Sequence, residues 1–580
     1  MGAATGHGPA GGITARSVSI QSASDATKRR LSRGAGGFLS AGTVVIAALV
    51  SLPILAVAIN LFADSGGLWA QLAATVLPDY LINTVALMLG VGILAGAMGT
   101  GAAWLVTMCE FPGRRIMEWA LLLPFAVPAY VLAYVYTDLL EFAGPIQTFL
   151  RDLFGWTRHD YWFPAIRSTP GAIVMLSLVL YPYVYLLGRA AFLSQSVAAL
   201  EVARTLGHGP WSSFFRIALP MARPGIAAGL ALALMETLAD FGTVEFFGVR
   251  TFTTGIYRTW FLRGSPEVAA QLASILMLFV IAVLTLERLS RGKARFSSAT
   301  GRFVPLPRYV LKGAKCWAAI TACTLPVVFG FALPAVILLS LTLKGGDSAL
   351  GFAFLGFAGN SIMVASLAAM LAVAAAMILG YGARMASTPI PRYAGRVASM
   401  GYAIPGSVIA VGVLIPLAWF DNSLDAFMRE TFGISTGLLL TGSIAALLFA
   451  YVVRFLAVAY NAVDAGLTKV TPSMDGASRT LGHGLGSTLA RIHAPLLRGS
   501  LLSGALLVFV DVMKELPATL IVRPFNFETL ATRVYRLAAD ERLAEASTAA
   551  LAIVVVGVVP VILLSRAFAR SRPGTRRTDG

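Results

Sequence analysis

The sequence predicts an all-α, polytopic membrane protein of about twelve transmembrane helices, arranged as two parallel six-helix repeats. Three observations predict it. Hydrophobic residues make up 57% of the 580 residues and charged residues only 13%, against about 25% charged in an ordinary soluble chain. Twelve stretches approach the roughly 20 apolar residues that a hydrocarbon core about 30 Å thick requires. The hexapeptide R-T-L-G-H-G occurs at 204–209 and again at 479–484, an offset of 275.

The stretches lie near 38–62, 82–108, 117–140, 170–193, 224–246 and 267–287, then near 316–343, 361–385, 398–420, 436–458, 500–521 and 546–568. Inside a bilayer every backbone donor and acceptor needs an internal partner, so these segments are helices rather than open sheet. The formal charge of +17 is placed by topology. Lys28, Arg29, Arg30 and Arg33 precede the first span, and Arg114 and Arg115 follow the second. Arg288, Arg291, Lys293, Arg295, Arg302, Arg308, Lys312 and Lys315 follow the sixth, and Arg566, Arg570, Arg572, Arg576 and Arg577 the last. All fall on one side if both termini are cytoplasmic, as the positive-inside rule requires. The opposite loops mix signs, as in Glu141, Asp152, Arg158 and Asp160. The basic balance is thereby explained by the bilayer, with no nucleic-acid partner. Cys109, Cys316 and Cys323 have neither disulfide nor metal spacing and read as packing residues. Residues 1–37 read as a disordered basic cytoplasmic tail without a cleavable signal, and 569–580 as a second tail.

Carrying the offset forward brings Arg216-Ile217 onto Arg491-Ile492, Pro220 onto Pro495, Arg223 onto Arg498 and Gly229 onto Gly504. It also brings Glu236 onto Asp511 and Asp240 onto Glu515. The chain therefore divides into a first half, 38–287, a basic cytoplasmic linker, 288–315, with Gly301, Pro305 and Pro307, and a second half, 316–568. An even number of spans precedes the second copy, so both copies keep one orientation. The repeat is parallel, with a pseudo-twofold axis along the membrane normal.

The shared signature lies in a cytoplasmic loop, 201–220 and 475–495. Glu201 to Leu206 suits a helix, and Gly207 and Gly209 suit a left-handed turn. Pro210 suits the first turn of a new short helix, which Pro220 is expected to close. Leu206, Phe214, Phe215 and Ile217 supply apolar knobs to this helix–turn–helix. A simple interfacial anchor needs no fixed sequence. Both copies nevertheless hold Gly and Pro thirteen residues apart, at 207 and 220 and at 482 and 495, which suggests two equal sockets on a partner.

The stretch E-V-A-x-x-x-G-x(9)-I-x-L-P resembles the "EAA" loop of binding-protein-dependent ABC importer permeases, whose MetI-like domains have six helices. The resemblance implies that Glu201, Ala203, Gly207, Ile217 and Pro220 dock one ATPase subunit, and Asp475, Ala477, Gly482, Ile492 and Pro495 another. The second loop departs from the pattern. Gly476 stands where the first has Glu201, and the nearest acid, Asp475, is one position early. No G-x-x-x-x-G-K-[ST] occurs, so ATP-Mg belongs on a separate ATPase, a homodimer to match two near-identical loops. The chain itself is expected to be a transport subunit with no cofactor and no enzymatic activity.

Ionisable residues stand out in the fifth and eleventh predicted spans. Glu236 and Asp240 are four apart on the fifth, hence on one helix face; Asp511, Lys514 and Glu515 are on the eleventh. Each ionised group costs at least about 2.5–3.5 kcal/mol at the bilayer centre. Glu236 lies thirteen residues beyond Arg223, or about 20 Å above the loop. On one reading Lys514 neutralises Asp511 and the remaining acids pair with Arg250 or Arg523. On the other the acids ring a translocation path and favour a cation. No resident metal site is assigned. Tyr181, Tyr183 and Tyr185 read as packing or interfacial aromatics, and His208 and His483 as turn or docking residues.

The segments 235–261, M-E-T-L-A-D-F-G-T-V-E-F-F-G-V-R-T-F-T-T-G-I-Y-R-T-W-F, and 511–532, D-V-M-K-E-L-P-A-T-L-I-V-R-P-F-N-F-E-T-L-A-T, resemble the ferric-iron permeases of that superfamily. Those are single chains with two fused halves. The resemblance implies a bacterial inner-membrane protein that receives ferric iron from a periplasmic binding protein. Thiamine, phosphonate and polyamine permeases share much of the frame. A proton-coupled secondary carrier would use the acids but leave the duplicated loops without a purpose.

Overall fold

The computed structural model describes residues 39–193, 210–291, 308–345, 352–385, 389–398, 401–468, 470–482 and 484–570. The expected N-terminal tail, the end of the C-terminal one, most of the linker, His208, His483, and Glu201, Ala203 and Gly207 of the first loop lie outside them. So does the side chain of Asp475.

Eleven described helices are long and apolar enough to cross a membrane: Leu39–Asn60, Leu77–Met108, Thr169–Leu193, Phe214–Ala239 and Pro266–Ser290, then Ala314–Gly345, Phe354–Arg384, Gly406–Phe432, Ile444–Leu467, Arg491–Met513 and Leu543–Leu563. A bent pair, Arg114–Ala126 and Ala129–Phe154, makes the twelfth. The all-helical class and the number of spans agree with the sequence.

The third span is the first correction. A single helix over 117–140 was expected, but the pair bends by 89°. Pro124 and Pro128 cause the break, since proline lacks an N–H and pushes the residue before it out of the helical region. Val127 is extended, at φ −95° and ψ 119°, and Pro128 opens the next helix at φ −61° and ψ 141°. The second half repeats this. Ile390–Ala398 and the short turn Gly401–Ala403 precede Pro405, at φ −56° and ψ 142°, and the ninth span begins at Gly406, not at 398. Thus F-A-V-P at 125–128 corresponds to Y-A-I-P at 402–405. Broken backbone at membrane depth is tolerated only inside protein or around a cavity, and that is where both segments lie.

In the first half the second, fourth and fifth spans pack on one another; in the second half the eighth, tenth and eleventh do the same. The first span of each half crosses to the other. A Cβ on Gly412 of the ninth span would stand 2.3 Å from the Pro53 carbonyl of the first, and one on Gly330 of the seventh 2.9 Å from the Leu178 carbonyl of the fourth. Such close backbone approach is how helices associate where lipid removes the hydrophobic drive. The seventh span is fixed further by the Tyr136 hydroxyl, which donates to the Phe329 carbonyl at 2.7 Å.

At the loop end, Cys109–Glu110 pairs in parallel with Tyr309–Val310, fastening the exit of the linker to the first half. Glu110 stands between Arg114 at 3.3 Å and Arg308 at 3.0 Å.

Candidate functional site

The fifth and eleventh spans stop inside the bundle, which corrects the expected shared helix face of Glu236 and Asp240 and the placing of Lys514 and Glu515 on the eleventh span. The fifth ends at Ala239, and Asp240 turns away at ψ 134°. Its carboxylate accepts from the Val244 amide at 3.1 Å and the Thr243 hydroxyl at 3.0 Å, capping the short helix Gly242–Phe246. The eleventh ends at Met513. Glu515 then accepts from the Ala518 and Thr519 amides, both at 2.9 Å, and from the Thr519 hydroxyl at 2.6 Å, capping Pro517–Val522. Free N–H groups at a helix start need acceptors, and a carboxylate is a strong one. The outer acid of each pair is therefore held by backbone, while Glu236 and Asp511 stay on their spans.

All five residues line one cavity of about 120 Å³ between the halves. Lys514 lies 3.0 Å from Asp511. Glu236 has no hydrogen bond or ion pair to any described residue. The expected arginine partners are elsewhere: Arg250 pairs with Asp79 at 3.0 Å and Arg523 with Glu528 at 3.7 Å.

Arg454, which sequence reasoning missed, pairs instead with the buried Glu515 at 3.4 Å. Its only signal was a lone arginine in the apolar tenth span, a position that ordinarily marks function or a partner. Gly406 makes room for this pair. A Cβ there would stand 2.0 Å from the Arg454 guanidinium and 2.7 Å from the Glu515 carboxylate. The first half has Ala129, Val179 and Asp240 at the corresponding places, so the pseudo-symmetry stops at this pair.

The tyrosines divide. Tyr181 donates to the Leu121 carbonyl at 2.9 Å and Tyr185 to that of Glu118 at 2.8 Å, tying the fourth span to the third as packing residues. Tyr183 faces the cavity, its hydroxyl 3.3 Å from that of Tyr402 and Phe125 edge-on at 4.6 Å.

The second loop signature builds an elbow, and the described part of the first, from Pro210 onward, follows the same course. In the second copy the helix Pro472–Thr480 turns at Gly482, φ +80°, into Leu485–Thr488 and a π-turn, Leu489–His493, that runs on into Ala494–Met513. The buried Ser478 and Thr488 hydroxyls, 2.6 Å apart, lock the elbow. Leu481 is 75% exposed at its tip, and Ala477 is exposed beside it. In the first copy Pro210–Ser213 runs through the π-turn Phe214–Ala218 into Leu219–Ala239. Ile217 and Ile492 are both half-buried, and Pro220 and Pro495 both exposed. The expectation that Pro220 closes a helix is corrected. Both prolines sit in the first turn of a continuing span, where no N–H is needed, and the π-turn before each absorbs the extra residue.

Residues 89–291 match the model of the family described as binding-protein-dependent transport system inner membrane component. The Escherichia coli molybdenum transport system permease protein ModB is 33% identical over 196 residues, covering 33% of this chain and 82% of that one. The chain belongs to this family of ABC importer permeases. Relatives with both halves in one chain extend the match. The Fe(3+)-transport system permease protein FbpB 2 of Haemophilus influenzae is 26% identical over 504 residues, 84% of this chain and 90% of that protein. The ferric transport system permease protein FbpB of Actinobacillus pleuropneumoniae is 24% identical over 535 residues, 88% and 73% respectively. This multi-pass inner-membrane permease thus carries two permease halves in one chain, as those relatives do. Within it, four carboxylates face two bases around the cavity, an arrangement that favours cations.

Proposed function

We propose that this permease moves ferric iron, delivered by a periplasmic binding protein, into the cytoplasm. The observation that carries the reading is the excess of carboxylate around a single cavity built from both halves. Hard oxygen ligands suit a hard cation. Relatives named for molybdenum and sulfate transport match one half. Sulfate is an anion, however, and at 4 Å and an effective dielectric near 20 each unit like charge opposes it by about 4 kcal/mol. The relatives named for ferric transport run through both halves.

In this reading residues 38–287 and 316–568 are the two permease halves, both termini and the elbows face the cytoplasm, and a homodimeric ATPase grips the elbows. Glu201, Ala203, Gly207, Ile217 and Pro220 meet one ATPase subunit, and Asp475, Ala477, Gly482, Ile492 and Pro495 the other. ATP-driven closure of that dimer draws the elbows together and opens the cavity outward; hydrolysis resets it inward. The continuous helix from each elbow into the fifth or eleventh span supports this, because a push at the elbow is delivered to Glu236 or Asp511 without an intervening joint.

Cells carrying the permease with its ATPase and binding protein should accumulate radiolabelled ferric iron and leave molybdate and sulfate outside. Oxyanion uptake without iron uptake contradicts the proposal.

A further inference from the structure

We propose that the cavity contains a transient ferric site made of two phenol oxygens and two carboxylates, one of each from each half: Tyr183 and Glu236 from the first, Tyr402 and Asp511 from the second. The inference rests on the ferric reading and names the ligands. The two phenol oxygens lie 3.3 Å apart across the interface. Neighbouring ligands of an octahedral hard cation with bonds of about 2.1 Å stand about 3.0 Å apart, so one ion fits both with a small adjustment. Glu236 and Asp511 each lie within electrostatic reach of both phenols. Glu236 makes no hydrogen bond or ion pair with any described residue, though Lys514 lies within its electrostatic reach. The phenols are not symmetry mates, since Tyr402 corresponds to Phe125 and Tyr183 to Val458.

Charge favours the trivalent ion. Each coordinating phenol releases its proton to water in the cavity, and no electron is transferred. Two phenolates and two carboxylates then meet the three charges of the iron and the one of Lys514, which lies 3.0 Å from Asp511. The group is neutral. In the empty cavity Lys514 offsets the carboxylates in place of the ion. Sulfur and imidazole are absent from this donor set, which removes the soft ligands that would hold copper or zinc. Among the described residues no group of three or more His, Cys, Asp or Glu could hold a metal, so the phenols are what complete a site.

Division between the halves supplies release. Separating them leaves one phenol and one carboxylate on each side, too few to hold the ion, and a transport site must bind well enough to fill yet let go.

The test uses the full-length permease in lipid nanodiscs, titrated with ferric nitrilotriacetate. Iron bound to phenolate absorbs visible light through charge transfer. The wild type should develop this band, Y183F and Y402F should each weaken it, and the double variant should lose it. Ferric uptake by cells carrying the whole complex should fall at least ten-fold in the double variant. A double variant that keeps the band, or a wild type without one, overturns the site. If the wild type imports iron and the double variant matches it, the phenol site is wrong and the ferric reading stands. If the wild-type complex imports no iron, the ferric reading itself fails.

Discussion

Arg454 and Glu515 show how one residue pair sets local stability. Breaking a buried ion pair by removing one partner costs about 3–5 kcal/mol, because a charge is stranded. Glu515 retains three other donors, so Arg454→Met should fall at the lower end, about 3 kcal/mol, read as a drop in thermal midpoint in detergent. Gly406→Ala drives a methyl group into the same pair and should cost about 1–3 kcal/mol by overpacking. The combination Gly406→Ala with Arg454→Met should lose less than the two single effects added. Full additivity would show that the glycine serves some other neighbour. None of this was legible in the sequence, where Arg454, Gly406 and Glu515 are far apart. The acids themselves were legible, but not their division of labour. The helix stops after Ala239 and Met513 fall within continuous apolar stretches, and only Gly242 and Pro517 hint at a break.

At the scale of elements, the elbows were the most legible part. Gly482 takes the left-handed conformation expected of this signature, and Pro210 begins a helix. The π-turns were not legible, because one extra residue in a helical turn leaves no periodic trace over five residues. A side chain at Gly482 is strained by about 1–2 kcal/mol in the left-handed region. Gly482→Val should therefore leave membrane levels unchanged and lower the amount of ATPase that co-purifies; equal recovery would contradict the docking role. The linker junction makes a separate prediction. Burial alone would raise the Glu110 carboxyl, but Arg114 and Arg308 outweigh it and hold the group below its ordinary value of 4.5. A depressed carboxylate stabilises the folded form above its unfolded pKa, and the benefit is lost as pH falls through the folded one. Amide exchange at 309–311 should accelerate as pH drops below about 4.5 relative to the intrinsic rate, and Glu110→Gln should abolish that dependence. An unchanged dependence would place the effect on another group.

Across the whole molecule, the twelve spans and the duplication were readable from hydropathy and one repeated hexapeptide. The crossing of each first span into the opposite half was not, since it rests on close approaches at Gly330 and Gly412 that any small residue in an apolar run could offer. Nor was the cavity, which depends on two broken spans meeting from opposite halves. Their meeting explains why the acids singled out on the fifth and eleventh spans share one place. Transport should therefore depend most on the pair Glu236 and Asp511, the acids that no backbone amide among the described residues holds. The most direct measurement is the initial rate of ferric uptake by cells expressing the complete complex with Glu236→Gln and Asp511→Asn combined, at matched membrane levels of permease and ATPase. The rate should fall at least about ten-fold, equivalent to about 1.4 kcal/mol on the transport barrier. A rate equal to that of the wild type would contradict it.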